Sequence, residues 1–355
     1  MRKLLVLVLA LLAVVLVPAA RAAVPPDGVP LCGVEGAGEA VDDGVLQVAT
    51  LNVLHAETDE GDESLAARLP LLAEAIVESG ADIVGGQELT RNEEHGIVAQ
   101  RLAGLVAAAT GEAWSWCWSR SNPHLPGTPD VQPGGGNPVD DQMAAFGNLP
   151  DPGDFSEGLA ILSRYEIDES RFRRLPPRSY EAVACVDPDP FCRLAAAFDS
   201  RQVLWARVAT PAGDVDMFTT HLAHGLTPLS DTTKLVQAQA AVDITEEWAT
   251  DGPLPDFLVG DFNSAPGGAV HQEVVGADFV DTYSGSETSG GPPDGQEVYS
   301  PSPTREMRER IDYVFARGDV TVVESRRIAD VPLLLDDGRY LWPSDHYGFV
   351  THVLA

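Results

Sequence analysis

The stretch LVGDFNSAP, residues 258–266, ends an apolar run abruptly in Gly260, Asp261 and Asn263, with Pro266 behind them. Gly, Asn and Pro punctuate strand ends, and Asp and Asn tolerate turn backbones, so by itself the segment reads as a turn. Its other reading is a buried strand that delivers a carboxylate and an amide to a site at its carboxyl end. That reading requires partners elsewhere in the chain.

The pattern recurs. Short apolar runs bounded by turn residues appear as VLQVATLNV, ADIVGGQEL, EGLAILSR, QVLWARVAT, DVDMFTTHL, PDFLVGDFN, RIDYVFARG, VTVVES and HYGFVTHVL, each of strand length. Two helices stand between them. In the first, Ser64 can cap, and Leu65, Leu69, Leu72, Ala73, Ile76 and Val77 share one face before Gly80 stops it. The second starts near Asp231 and carries Leu235, Val242 and Trp248, and a further amphipathic run spans roughly 93–110. Trp114, Trp116 and Trp118 alternate in WSWCW, which puts the indoles on one strand face, with core packing favoured over a ligand-stacking row. Many strands, few helices and polar strand ends predict an α/β chain of two packed sheets flanked by helices in one domain.

The strand ends carry chemistry. TLN ends at Asn52, GGQE at Glu88 and TTHL brings His221; RIDYVF carries Asp312, and PSDHYGF carries Asp345 next to His346. Each is an oxygen ligand, a general acid or base, or a group that orients one. A single such residue is an ordinary turn or cap, whereas the full set is a constellation. No CxxC or HExxH occurs, so nothing suggests a zinc site.

With TLN, QE, EGLAILSR, THL, GDFN, RIDYVF and SDH in this order, the chain from about Val45 to Val353 resembles the metal-dependent endonuclease/exonuclease/phosphatase superfamily, which includes deoxyribonuclease-like enzymes and secreted sphingomyelinases. The resemblance implies a four-layer α/β sandwich of two packed mixed sheets flanked by helices, the deoxyribonuclease-like fold. It also implies that Glu88 binds a divalent cation, Mg2+ with Mn2+ or Ca2+ as alternatives, with Asn52 beside it and Asp345 supporting metal or histidine. Asp261 and Asn263 would hold the attacking water and a phosphate oxygen. His346, oriented by Asp312, would be the general base or polarise the phosphate, and Glu157 of EGLAILSR would pair with His221. Arg201 reads equally as a phosphate contact or a surface charge. The sequence departs from the family in two places. Leu54 stands where some of these nucleases carry a further acid, and the long spacing between Glu88 and Glu157 makes the Gly/Pro-rich loop 121–155 the expected determinant of substrate. His55, His95, His124, His224 and His271 match no family motif.

The chemistry suits those residue types. A phosphodiester is anionic and resists attack, so a hard cation on carboxylate and amide oxygens neutralises it while histidine–carboxylate pairs move protons. The expected function is an exported, Mg2+-dependent phosphodiesterase that hydrolyses nucleic acid or a phospholipid head group by in-line attack of water. The alternatives are a phosphomonoesterase on a small phosphorylated substrate and a non-catalytic binding protein that retains the fold.

Composition and termini bound this further. Residues 1–22 read as an export signal, with Arg2 and Lys3, an apolar run from Leu4 to Val17 and Ala20-Arg21-Ala22 at the cleavage site. That apolar run is short for a bilayer span, and no later segment is long and apolar enough to cross. The expected organisation is then an amino-terminal extension at 23–44 and one catalytic domain at 45–355 into which loop 121–155 is inserted. A second polar loop runs from about 284 to 303. The four cysteines fit the disulfides of an exported protein better than four buried thiols; of the three pairings they allow, Cys185–Cys192 is the favoured one, and Cys32–Cys117 would then tie the amino-terminal segment to the body. A net charge of −31 disfavours binding of polyanions through a broad basic face. Arginines cluster only in ESRFRRLPPR (Arg171, Arg173, Arg174, Arg178) and REMRER (Arg305, Arg308, Arg310), runs that usually form solvated faces. A phosphoester substrate is the expected partner of a monomer without a stable protein partner.

Overall fold

The computed structural model describes residues 28–40, 44–54, 59–92, 95–122, 155–176, 200–225, 228–250, 252, 254–283, 298–305 and 309–354. The export signal, most of loop 121–155, Cys185 and Cys192, residues 284–297, and Arg178, Arg308, His55 and His124 lie outside the described residues.

The first half of the chain runs β1 (Leu31–Glu35), β2 (Val45–Asn52), α1 (Asp59–Ser79), β3 (Ile83–Asn92), β4 (Gly96–Ile97), α2 (Val98–Thr110), β5 (Trp114–Asn122), β6 (Phe155–Ser163), β7 (Glu166–Arg174), β8 (Gln202–Thr210) and β9 (Gly213–His221). The second half runs α3 (Pro228–Trp248), β10 (Asp256–Asp261), α4 (Ala269–Gly276), β11 (Val280–Asp281), β12 (Tyr299–Ser300), β13 (Asp312–Arg317), β14 (Thr321–Ile328), β15 (Leu333–Leu334), β16 (Tyr340–Leu341) and β17 (Gly348–Leu354). An eight-stranded sheet has the order β1-β5-β6-β3-β2-β17-β14, with β4 on β3, and a six-stranded sheet has the order β11-β13-β10-β9-β8-β7. Both are mixed, because β2 pairs parallel with β3 and β9 parallel with β10.

The two sheets face each other across Val48, Ile83, Leu159 and Ile161 on one side and Leu204, Met217, Phe257, Val259 and Val314 on the other. Outside the first sheet, Leu65, Leu69, Leu72 and Ile76 of α1 and Leu102 and Val106 of α2 pack on Ala49, Leu51, Val84 and the three indoles of WSWCW. Outside the second, Ala238, Ala241 and Trp248 of α3 and Val274 of α4 pack on Trp205, Phe218, Leu258 and Phe315. The result is the expected four-layer sandwich. It also explains the opening stretch: Phe257 and Val259 face the other sheet while Leu258 faces the helices, so β10 is apolar on both sides and reads as a continuous run. Each such fully buried side chain contributes about 1.5–3 kcal/mol. Gly85 permits the close approach of the sheets, since a Cβ there would lie 2.3 Å from Val259 Cγ2.

Cys32 and Cys117 form a disulfide between register partners on β1 and β5, so the amino-terminal strand is tied to the sheet as expected. Other expectations are corrected. Ser64 does not cap α1, which begins at Asp59; it is buried inside the helix, where its Oγ accepts a hydrogen bond from Arg68 Nε at 2.7 Å. The run at 93–110 is helical only from Val98. The first arginine cluster is the edge strand β7 rather than a solvated face: Arg171 lies over the Trp205 and Trp248 rings, and Arg173 pairs with Glu247. In the second cluster, Arg310 is buried on Asp281 and Arg305 donates to the Ser344 carbonyl at 2.7 Å.

Candidate active site

Strand register gathers the constellation. Asp261 ends β10 and lies opposite His221 on parallel β9 and opposite Asp312 on antiparallel β13, so residues far apart in sequence become immediate neighbours. Gly260 makes the approach possible: its φ is 145°, and a Cβ there would fall 2.0 Å from the Thr220 carbonyl oxygen. In the facing sheet, Asn52 ends β2, Glu157 lies near the start of β6, and Asp345 and His346 precede β17, whereas Glu88 does not end its strand as expected but lies within β3, which continues to pair with β6 as far as Asn92.

Three non-glycine residues here have positive φ: Leu54 at 58°, Glu88 at 62° and Asn263 at 49°. Such backbones cost about 1–3 kcal/mol each and persist only where the surroundings over-determine them. Glu88 falls where the β3–β6 register shifts between Gly86 and Leu89, an irregularity of the kind that re-aims a side chain.

The side chains converge on Asp261 Oδ2. Its neighbours are Asn52 Nδ2 at 3.3 Å, His221 Nε2 at 3.5 Å and His346 Nε2 at 3.9 Å. Asp261 Oδ1 accepts the Asn263 N–H at 2.8 Å, which fixes the carboxylate plane. Asn52 Nδ2 also donates to Glu88 Oε1 at 2.9 Å, while its Oδ1 accepts the Leu54 N–H, so Asn52 holds the two acids in place rather than turning its oxygen toward Glu88. His221 lies 3.7 Å by Nδ1 from Glu157 and 4.0 Å by Nε2 from Glu88. His346 Nδ1 is 2.8 Å from Asp312 Oδ2, and its main-chain N–H donates to Ser344 Oγ, which in turn donates to the Asn52 carbonyl at 2.6 Å. Asn263 Nδ2 donates to the Leu222 carbonyl at 3.0 Å.

The electrostatics are those of crowded buried acids. Burial and then the Asp312 charge push the Asp261 carboxyl up to about 7, with Glu88 adding to the rise. Burial likewise raises Asp345, with Glu88 adding and His346, Arg68 and Arg305 opposing. For His346, burial opposes the imidazolium, but Asp312, Asp345 and Asp261 overcome it and hold its pKa well above 6.5. Donor atoms of Glu88, His221 and Asp261 lie within 4.8 Å of one another, as do those of Asp261, Asp312 and His346. An oxygen-rich set of acids with imidazoles, gathered in a buried place, fits a hard divalent cation.

Arg201 is buried, not a surface charge. It immediately precedes β8, whose antiparallel register with β9 places it beside the carboxyl end that carries His221. His95 contacts Arg101, His271 contacts Asp281, and His224 is exposed on the loop after β9. Sequence reasoning passed over Ser344, Arg68 and Lys234, which bind the loops of the site. For Arg68 a signal existed: it falls on the same α1 face as Leu65 and Leu72, so its charge interrupts an apolar stripe.

Solved structures share this fold. An endonuclease/exonuclease/phosphatase from Beutenbergia cavernae is 20% identical with a TM-score of 0.54, over 87% of this chain and 71% of that one. A mannosyl-6-phosphatase from Bacteroides thetaiotaomicron is 15% identical with a TM-score of 0.59, over 87% and 100%. A D. rerio TDP2 complexed with a single-strand DNA product is 17% identical with a TM-score of 0.52, over 88% and 100%. No curated protein matches the chain. A family profile does match it, spanning residues 49–346 and thus every catalytic candidate from Asn52 to His346, and the chain belongs to the Endonuclease/Exonuclease/phosphatase family, a family of phosphoester hydrolases.

Proposed function

We propose that the protein is an exported, Mg2+-dependent phosphodiesterase acting on nucleic acid or a phospholipid head group, organised as one catalytic domain at 45–355 behind the signal at 1–22. The observation that carries this reading is the meeting of His221 and His346 on one carboxylate oxygen, Asp261 Oδ2, at 3.5 and 3.9 Å. Two imidazoles aimed at one point supply a base for a water and an acid for a leaving oxygen, the pair that in-line hydrolysis needs.

Each residue has a role in this reading. Asp261 and Asn263 position the water and a phosphate oxygen, with the Asp261 carboxylate oriented by the Asn263 N–H. Asp312 accepts from His346 Nδ1 and thereby presents Nε2 to the cleft. Glu157 orients His221 from the Nδ1 side. Glu88 would hold the cation, fixed by Asn52 Nδ2, with Asp345 as the adjoining acid. When bound, the cation neutralises phosphate charge and supplies Lewis-acid polarisation. Arg201, which precedes β8 beside the His221 end of β9, would contact a phosphate. The Cys32–Cys117 disulfide supports an exported protein, and among the described residues no helix is long and apolar enough to cross a membrane.

The test is product release by residues 23–355 from duplex DNA, RNA, sphingomyelin, phosphatidylinositol and a phosphorylated sugar, with Mg2+ or with chelator. Chelator-sensitive cleavage of a diester, lost in His346→Ala, is expected. Exclusive turnover of the sugar phosphate would replace the reading with a phosphomonoesterase. Absence of turnover by folded protein would favour a binding protein.

A further inference from the structure

Each helix layer sends one buried cation to the loops of the sheet it covers. From α1, Arg68 has no exposed surface and donates to the carbonyl oxygens of Val53 at 2.5 Å, Leu54 at 3.1 Å and Pro343 at 3.1 Å. Val53 and Leu54 follow Asn52, and Pro343 precedes Ser344, Asp345 and His346. From α3, Lys234 is 4% exposed and donates to the carbonyl oxygens of Gly225 and Asn263, both at 3.0 Å, while pairing with Asp231 at 2.8 Å. Gly225 lies in the loop that follows His221, and Asn263 in the one that follows Asp261.

We propose that Arg68 and Lys234 are positioning residues that lock the catalytic loops in pairs through main-chain carbonyls, Asn52 with Asp345 and His346 in one sheet, and His221 with Asp261 and Asn263 in the other. The backbone gives the reason. Leu54 and Asn263 have left-handed φ values of 58° and 49°, and each offers its carbonyl to one of these two cations. A charge-assisted hydrogen bond is roughly twice as strong as a neutral one, and it holds the strained peptide where the side chains meet. Burying a charge is costly unless it is hydrogen-bonded, and the carbonyl oxygens that meet this need here belong to the catalytic loops. Arg68 needs its planar fork, since three carbonyl oxygens from two loops surround it. Its field also favours the charged form of Asp345.

Arg164 provides a control. It is a mostly buried cation paired with Asp82 and Glu112, next to Ser163 at the end of β6 that pairs with the start of β3, away from the site. The experiment compares Arg68→Met, Arg68→Lys, Lys234→Met and Arg164→Met by melting temperature, by kcat and KM below that temperature, and by amide hydrogen exchange without metal. Displacement of reacting groups by about 1 Å costs about 100-fold in rate. Arg68→Met and Lys234→Met are therefore expected to lose about that factor in kcat with KM near the wild-type value. Exchange should quicken at 53–54 in the first and at 262–264 in the second. Arg164→Met should melt earlier yet keep kcat, and Arg68→Lys should regain stability more than rate.

Wild-type kcat and local exchange in the folded Arg68 and Lys234 variants would overturn the proposal, as would an equal kcat loss in Arg164→Met. The rate prediction rests on the phosphoesterase reading, whereas the exchange prediction does not. A wild-type protein without turnover would defeat that reading alone, leaving exchange to decide the positioning role. If Arg68→Met fails to fold, Arg68→Lys and Lys234→Met carry the same comparison.

Discussion

Replacing Asp312 by Asn keeps the shape of the side chain beside His346 and removes its charge. Asp312 has no exposed surface, and its Oδ2 lies 2.8 Å from His346 Nδ1. Unit charges centred about 4 Å apart attract by about 4 kcal/mol at an effective dielectric near 20. The amide left behind retains a neutral hydrogen bond of about 1 kcal/mol. Stabilisation of the imidazolium formed as His346 takes a proton therefore falls by about 3 kcal/mol, which is about 150-fold in kcat. The pH profile moves with a definite sign. Burial opposes the charged imidazole, and Asp312 is foremost among the carboxylates that hold its pKa well above 6.5, so the limb of the rate profile set by His346 shifts to lower pH in Asp312→Asn. The same linkage predicts the stability difference. The stabilisation drawn from protonated His346 is complete below the ordinary value of 6.5 and is lost as pH rises through the raised folded value, so the deficit of Asp312→Asn is largest on the acid side. Steady-state kinetics across pH, with thermal melts in chelator, measure both. A folded variant with wild-type kcat, or with its limb displaced to higher pH, would refute the pairing as the source of His346 basicity.

Cation binding should expel protons. Asp261 is held up to about 7 without metal, and a cation favours its carboxylate, so calorimetry at pH 6 in buffers of different ionisation enthalpy should show proton release; no buffer dependence would contradict it. Gly260→Ala places a Cβ 2.0 Å from the Thr220 carbonyl oxygen and should destabilise by at least about 1–3 kcal/mol and lower kcat even where folded, read by melts and rates. Cys32→Ser should cost about 2–5 kcal/mol in urea unfolding, because the disulfide links positions 85 residues apart, yet leave kcat unaltered since β1 is the far edge strand. Loss of rate in that folded variant would mean that the amino-terminal strand reaches the site.

Local sequence was sufficient wherever a property follows from period and composition. The continuous apolar run ahead of Asp261, the alternation of Trp114, Trp116 and Trp118, and the polar residues closing TLN, QE, THL and GDFN announce strands that carry chemistry at their ends. The order of those motifs carries the resemblance to a family whose fold is the four-layer sandwich, and the pairing of Cys32 with Cys117 was among the three combinations available. Other features depended on neighbours. Ser64 is a strong cap by type, but α1 extends past it toward Asp59 and Arg68 claims its hydroxyl. Arg171 and Arg173 read as solvent charge until Trp205, Trp248 and Glu247 come beside them.

The amino-acid sequence by itself determined which groups are present and that most of them stand at or beside a strand end, because period and turn chemistry act over a few residues. Tertiary structure alone decided which groups meet. The register of β9, β10 and β13 sets His221 and Asp312 on either side of Asp261, the irregularity in β3 aims Glu88, and buried cations from two helices close the loops. Those relations join residues far apart in the chain, and only packing of the whole sandwich fixes distances between them.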